Sequence, residues 1–142
     1  MFFSKSINTP NSGWRTLTND EWIYLLNTRT VNGGAGLNHR YTVGQSVNGK
    51  SGVIIYPDGY ASSVYAGSDW ATFEAAGCVF LPAAGRRYGT TVDNTDVAFY
   101  WSSSPSDLDE AIYVEFYTGS LSLGMNDARY FGRSVRLVRD VE

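Results

Sequence analysis

The chain is poor in the residues on which many catalytic and covalently stabilised sites depend. It has one cysteine, Cys78, and one histidine, His39, among 142 residues. A single cysteine excludes a disulfide within the chain and a metal site built from several thiolates. His39 lies in a polar stretch without a nucleophile motif, so dyads and triads that use histidine as a base have no partner there. The sequence therefore predicts no catalytic residue, no metal site and no cofactor.

Long apolar runs and clustered cations are also missing. No apolar run approaches the roughly 20 residues that a helix needs to cross a bilayer, and the first ten residues, MFFSKSINTP, lack the features of a secretory signal. The eleven Lys and Arg residues are scattered among fourteen Asp and Glu residues, which gives a net charge of −3. Since binding of nucleic-acid phosphates needs a basic field, we expect no nucleic-acid binding. Since a membrane-spanning helix needs a long apolar run, we expect no membrane insertion.

Length and local signals predict one domain, residues 1–142, with two short helices. Thr18 and Glu21 form a capping box, in which each side chain accepts a hydrogen bond from the other residue's backbone N–H. Apolar residues then recur on one helical face, which predicts a helix from about 19 to 28. A second helix is predicted over 70–76, closed by Gly77 in the left-handed conformation.

The rest of the chain has the pattern of short strands. Val53–Tyr56 and Cys78–Leu81 are apolar runs bounded by Gly or Pro, as expected for buried strands. The polar, glycine-rich stretch 30–50 predicts a loop with at most one edge strand. Alternation over 111–123 predicts two strands joined by a turn, and Ser134–Val138 forms the last predicted strand. Together these elements indicate an α+β fold.

The segment from 100 to 139 has the composition of a binding surface. Tyr, Ser, Asp, Asn and Gly alternate there between strand-like anchors, and this mixture supplies contact area and adaptable hydrogen bonding at small entropic cost. Tyr117, Tyr130 and Phe131 are predicted to face outward, although ordinary aromatic residues of a loop are the alternative. The expected ligand-binding residues are Asp107, Leu108, Asp109, Tyr117, Thr118, Ser120, Ser122, Asn126, Asp127, Tyr130, Phe131 and Arg133.

Other conspicuous residues are predicted to be structural. Cys78 lies in an apolar run and is expected to pack as a small buried hydrophobe. Arg86 and Arg87 are expected to pair with nearby carboxylates, and Arg136 to bury its stem and bond loop carbonyls. Asp93–Asp96 carries oxygen ligands close together but is more typical of a solvated turn than of a calcium site.

Six short motifs occur in order along the chain and carry a family resemblance. They are GWRTLT from Gly13, EW from Glu21, GVIIYPDG from Gly52, VFLPAAG from Val79, YWSS from Tyr100 and SVRLV from Ser134. Together they resemble the Fibrobacter-type major paralogous domain of Bacteroidetes surface proteins. That family is similar to the C-type lectin-like fold, in the branch shared with formylglycine-generating enzymes and with the variable proteins of diversity-generating retroelements.

The resemblance implies a particular architecture. It is an α+β domain with two helices flanking small twisted antiparallel sheets, with its first and last strands paired at the base. Four tryptophans, Trp14, Trp22, Trp70 and Trp101, are expected to hold this scaffold together. Phe2–Lys5 resembles the family's first strand, but the long segment that usually follows it is missing. The chain therefore resembles a shortened member.

The resemblance also implies a function. In the variable proteins, a C-terminal run of residues with mutable codons is followed by a constant strand. Here the matching variable surface spans about 102 to 133. Glu110, Glu115 and Met125 do not fit the simplest mutable codons. We expect a non-enzymatic domain of a gut bacterium or phage that binds a protein or glycan receptor on a cell surface, outside the cell or on a virion. The alternative is a fixed carbohydrate-binding or adhesin module of a Bacteroidetes cell-surface protein.

Two known activities of related folds are not implied. The short signatures of calcium-dependent sugar-binding lectins are absent from the sequence. The formylglycine-generating branch depends on cysteine chemistry near its groove, and a single cysteine in an apolar run is a poor match. The sequence leaves the oligomeric state and the identity of the ligand open.

Overall fold

Ten strands and two short helices form the part of the chain that the structure describes. This computed structural model describes residues 13–31, 40–59 and 70–140. The elements are β1 (Trp14–Thr16), α1 (Asn19–Ile23, continued by a π-helical segment at Tyr24–Thr28), β2 (Tyr41–Val47), β3 (Lys50–Ile55), α2 (Trp70–Ala75), β4 (Val79–Pro82), β5 (Arg86–Tyr88), β6 (Thr91–Asp93), β7 (Ala98–Pro105), β8 (Glu110–Tyr117), β9 (Ser120–Ala128) and β10 (Leu137–Arg139). The predicted α+β class is confirmed.

The first helix begins at the predicted capping box. The backbone N–H of Glu21 donates to Thr18 Oγ1 at 3.2 Å, and the backbone N–H of Thr18 donates to Glu21 Oε2 at 2.8 Å. Two of the unpaired donors at a helix start are thereby satisfied. The predicted end near 28 is also confirmed, but the last turn is π-helical, and the backbone N–H of Arg29 closes it on Tyr24 O at 2.9 Å.

The Glu21 carboxylate makes part of the stability depend on pH. Arg15 Nη1 donates to Glu21 Oε2 at 2.7 Å, and the Thr18 backbone N–H donates to the same oxygen. Both contacts favour the charged form and lower the pKa of Glu21 from 4.5 to about 2. Because the folded-state pKa lies below the unfolded value, this stabilisation is complete above pH 4.5 and is lost as the pH falls to about 2.

Glu21→Gln should remove that pH dependence. In urea titrations, wild type and Glu21→Gln should differ near neutral pH and converge near pH 2. The difference should be small, since the side chain is 37% exposed and water screens the ion pair. Glu74→Gln changes an exposed carboxyl on α2 and is the matched control, which should keep the wild-type pH profile. A constant gap between wild type and Glu21→Gln down to pH 2 would contradict a role for the charge.

Among the described residues, the strands form four small antiparallel sheets. Their orders are β1–β10, β2–β3–β4, β5–β6 and β7–β8–β9. Trp14 lies opposite Arg139, so the first and last described strands, β1 and β10, pair with each other. β2 is an edge strand within the stretch 30–50. β8 and β9 form the predicted hairpin, with Tyr117 opposite Ser120 across the turn.

Among the described residues, the buried side chains form three clusters. The largest lies between α1 and the strands and contains Trp22, Leu26, Val53, Ile55, Leu81, Ala98, Tyr100, Val114 and Phe116. A second cluster joins α2 to β3, and a third lies on the other side of β7 and β8 around Phe99 and Tyr113. The third cluster exists because β8 buries both of its faces, Val114 on one and Tyr113 on the other.

Of the four tryptophans expected to hold the scaffold, only Trp22 is fully buried; Trp14, Trp70 and Trp101 are half-buried. Cys78 is buried and free, as predicted, and burial raises the pKa of its thiol. His39, the Phe2–Lys5 segment and residues 60–69 lie outside the described ranges. In the described part, no helix is long and apolar enough to cross a membrane.

Candidate functional site

One face of the β7–β8–β9 sheet is turned away from α1 and the main core. Residues paired directly across antiparallel strands project from the same face. Glu115 pairs with Ser122 and Tyr117 with Ser120, on the face opposite to the core residues Val114 and Phe116. We call the surface formed by Glu115, Tyr117, Ser120, Ser122 and Met125 the outer face. Its largest exposed side chains are Tyr117, 46% exposed, and Met125, 41% exposed.

Arg133 is buried beside the outer face, inside a cage of four aromatic rings. Its guanidinium carbon lies 3.9 Å from the ring centre of Tyr113 and 4.4 Å from that of Trp101. The rings of Phe131 and Phe99 lie at 5.3 Å and 5.5 Å. A cation this close to ring faces is attracted by their quadrupoles. Arg133 was predicted to contact a ligand, but its side chain is fully buried, so it supports the surface instead.

Asp127 neutralises this buried cation. Arg133 Nη2 donates to Asp127 Oδ2 at 2.6 Å, and Arg86 Nη1 approaches the same oxygen at 3.7 Å. Burial alone raises the pKa of Asp127, but the Arg133 and Ala128 hydrogen bonds and the two guanidinium charges outweigh it and lower the pKa. Arg86 also donates to Asp93 at 3.1 Å, which confirms its predicted pairing with carboxylates.

Three aromatic rings form an exposed cluster next to the cage. The ring of Tyr130 packs against that of Phe131, with ring centres 4.8 Å apart. The ring centre of Tyr88 lies 5.6 Å from that of Tyr130 and 5.5 Å from that of Phe131. We call these three residues the aromatic patch. Tyr130 is 69% exposed and Tyr88 is 59% exposed, whereas Phe131 is half-buried. Large exposed aromatic groups of this kind are characteristic of binding surfaces.

Tyr88 was not among the predicted site residues. It comes from β5, which a short bridge holds against the turn after β9: Arg87 N donates to Gly132 O at 2.7 Å, and Gly132 N donates to Arg87 O at 2.8 Å. The local signal was available, because Tyr88 lies next to Gly89 in a polar hairpin, much as Tyr117 lies two residues before Gly119. What the sequence could not show is that this hairpin meets the turn that carries Tyr130.

The turn before β8 is ordered by its own polar groups. Asp107 Oδ1 accepts hydrogen bonds from the backbone N–H groups of Asp109 and Glu110, each at 2.9 Å. Arg129 donates to Asp107 O at 2.9 Å and to Glu110 O at 3.1 Å. Leu108 projects from this turn and is 93% exposed. Since Arg129 directly precedes Tyr130, the turn and the aromatic patch share one support.

The twelve predicted site residues fall into three groups. Those that are exposed are Asp107, Leu108, Asp109, Tyr117, Thr118, Ser120, Asn126 and Tyr130. Ser122, Asp127 and Phe131 are half-buried, and Arg133 is buried. Asn126 is exposed but lies opposite Ile112 in the hairpin, so it projects from the other side of the sheet and donates to Glu110 there. The predicted residues thus do not all lie on one continuous surface.

Arg136 differs from its predicted structural role. It was expected to bury its stem and bond loop carbonyls, but it is exposed and donates to none of the described carbonyls. Trp101, one of the four tryptophans expected to hold the scaffold together, is half-buried, forms one wall of the Arg133 cage and donates from Nε1 to Phe131 O at 3.3 Å. That bond fixes the turn on which the aromatic patch stands.

The site is therefore a rigid, partly aromatic surface with polar residues at its edges. Its charged groups are largely committed to internal contacts: Asp127 to Arg133, Asp107 to the backbone, and Arg129 to two carbonyls. The exposed groups that a partner can contact include ring surface, hydroxyl groups and the Leu108 and Asp109 side chains. No protein-family model, curated protein or solved structure matches this chain. Its function must be inferred from the geometry of these residues.

Proposed function

We propose that the chain is a non-enzymatic recognition domain of C-type lectin-like architecture, and that it binds its partner through the aromatic patch and the outer face. On the resemblance of its motifs, it is a variable protein of a diversity-generating retroelement in a gut bacterium or phage, displayed outside the cell or on the virion. The observation that carries the proposal is the exposure of two tyrosine rings, Tyr88 and Tyr130, beside adaptable polar residues on an ordered support.

The support makes binding efficient. Association costs less when the contacting side chains are already held in place, because fewer rotamers have to be immobilised. Here Tyr88 and Tyr130 pack against each other and against Phe131, and Arg86 lies 4.8 Å from the Phe131 ring centre. Tyrosine also presents a polar hydroxyl at the end of a large apolar ring. The patch therefore combines contact area with a small entropic cost.

The shape of the patch favours a protein partner over a glycan. Sugar rings stack well on a flat row of coplanar aromatic side chains, which a fixed carbohydrate-binding module would offer. The rings here are tilted against each other by 57°, 42° and 38°. They also come from two separate segments, the end of β5 at Tyr88 and the turn after β9 at Tyr130, and make an irregular surface. Such a surface suits the uneven relief of a folded receptor.

Tyr130→Ala and Tyr88→Ala should each weaken binding to receptor-bearing cells by about tenfold or more, because exposed aromatic anchors dominate interface energy. The measurement is flow cytometry of fluorescently labelled protein on a panel of gut Bacteroides strains. The melting temperature should stay nearly unchanged, since surface substitutions typically alter stability by about 0.5 kcal/mol or less. A large fall in melting temperature would show that the patch is structural.

Tyr24→Ala is the matched control. Tyr24 is 59% exposed, the same fraction as Tyr88, but it lies in the π-helical segment, away from the patch. It should bind cells as wild type does. Pretreating the cells separates the two partner classes: protease should abolish binding to a protein receptor, and periodate should abolish binding to a glycan. Equal loss in Tyr24→Ala and Tyr130→Ala would refute a localised site.

A further inference from the structure

A cavity with a volume of about 410 Å³ lies at the base of the domain, apart from the candidate site. It is an open cavity lined by residues of α1, the β1–β10 pair and the β3 and β4 strands, and it shares no lining residue with the outer face or the aromatic patch. Its apolar lining includes Leu17, Leu25, Leu81 and Leu137. Pockets of roughly 300 to 1,000 Å³ with mostly apolar walls and a few polar groups are typical of small-molecule sites.

The polar side chains that line this cavity are all hydrogen-bond donors. They are Trp14, Trp22, Arg136 and Arg139, and indole and guanidinium groups have no acceptor atom. Neither Arg136 nor Arg139 forms a side-chain hydrogen bond or ion pair with any of the described residues. Both are exposed, so two positive charges stand at one apolar cavity without a neutralising carboxylate on its described wall.

Trp22 is the buried member of this polar lining. Its ring is fully buried in the wall of the cavity, and Nε1 has no hydrogen-bond partner among the described residues. A buried N–H without an acceptor is costly to the fold. Arg136 also lines an adjacent cavity of about 430 Å³.

We propose that this cavity binds a small apolar carboxylate, with the hydrocarbon or aromatic body among the leucines and the carboxylate at Arg136 and Arg139. A carboxylate supplies acceptors for the side chains of Arg136 and Arg139, and arginine binds it through paired N–H groups. The apolar body gains from leaving water, in proportion to the area that the cavity covers. An amine would meet two like charges, and an alcohol would leave the charges unpaired.

The test is a calorimetric titration of the full chain with 4-phenylbutyrate, 4-phenyl-1-butanol and 4-phenylbutylamine. The three probes share one apolar body and differ in their polar end. The acid should bind, and the alcohol and the amine should bind at least about tenfold more weakly, because a hydrogen bond to a charged group accounts for a difference of that size. Quenching of tryptophan fluorescence should accompany binding, since Trp14 and Trp22 line the cavity.

Variants then locate the site. Arg136→Gln and Arg139→Gln should each weaken binding of 4-phenylbutyrate by about tenfold. Arg87→Gln makes the same charge change at an exposed arginine outside the cavity and should bind as wild type does. Unchanged melting temperatures would show that the variants are folded. Equal affinity for the acid and the alcohol, no binding of the acid, or binding insensitive to both cavity arginines would each overturn the proposal.

Discussion

Trp22→Ala should lower the free energy of unfolding by about 3 to 5 kcal/mol, the range for truncation of a buried aromatic side chain. Trp22 is fully buried in the largest core cluster, and its ring centre lies 6.3 Å from that of Tyr100. The loss has two parts, the transfer energy of the removed atoms and the new void. The void should stay open, because Trp22 already lines a cavity, and a cavity has no atoms that could move into the new space.

Trp22→Phe separates packing from hydrogen bonding. The indole Nε1 has no partner, so phenylalanine removes an unsatisfied donor and loses only part of the volume. It should cost less than half as much as alanine. Tyr24→Ala changes an exposed residue of the π-helical segment that continues α1 and is the control for helix propensity. It should change the free energy of unfolding by about 0.5 kcal/mol or less. The measurement is urea unfolding followed by far-ultraviolet circular dichroism.

A loss of less than about 1 kcal/mol in Trp22→Ala would contradict the structure, because it would mean that α1 does not dock on the sheets. Since domains of this size are stable by only about 5 to 15 kcal/mol, the expected loss is a large share of the total. The same variant also enlarges the base cavity. Binding of 4-phenylbutyrate is therefore best tested in the arginine variants rather than in this one.

Local features of the fold could be predicted from the sequence. The capping box at Thr18 and Glu21 depends on residues three apart, so the start of α1 follows from chemistry within one turn. The β8–β9 hairpin follows from a period of two over one continuous stretch. The π-helical segment at Tyr24–Thr28 had no comparable signal. Local patterns also could not predict the number of buried clusters. β8 buries both of its faces because other elements cover each face, and those elements are distant in sequence.

The errors at the site have a common physical cause. Arg133 was placed among the ligand-binding residues because it lies in the segment with the composition of a binding surface. Its cage is assembled from Phe99, Trp101 and Tyr113, which lie on two different strands, and from Phe131 in a later turn. No spacing rule brings these positions together. Tyr88 was missed for the same reason, since a bridge between distant segments delivers it to Tyr130.

Arg136 shows the opposite error. It was placed in a strand from 134 to 138, where alternation would bury its stem, but β10 begins only at Leu137. The residue before a strand is not bound by the alternation of that strand, and Arg136 is exposed. The two arginines thus exchanged their predicted roles: the one expected at the ligand surface is structural, and the one expected to be structural is free to bind.

Arg133→Ala should destabilise the fold by about 3 to 5 kcal/mol, the range for breaking a buried ion pair by removing one partner. The substitution leaves a void among four rings and leaves Asp127 with Arg86 at 3.7 Å as its remaining cation. Arg133→Met should cost much less when paired with Asp127→Asn, because replacing both charges by neutral groups avoids an unpaired buried carboxylate. Urea unfolding of the two single variants and the double variant gives the coupling energy between Arg133 and Asp127.

The same set of variants decides whether Arg133 contacts the partner or supports the surface. A supporting residue can be replaced without loss of binding, provided that the replacement keeps the rings in place. Arg133→Met with Asp127→Asn should therefore bind cells nearly as wild type does, while Tyr130→Ala does not. If the folded double variant lost binding by tenfold or more, Arg133 would be a contact residue reached through a rearranged cage, and the aromatic patch would be only part of the site. If it kept binding, the cage would be the element that holds Phe131, and with it Tyr130, in the geometry that a partner contacts.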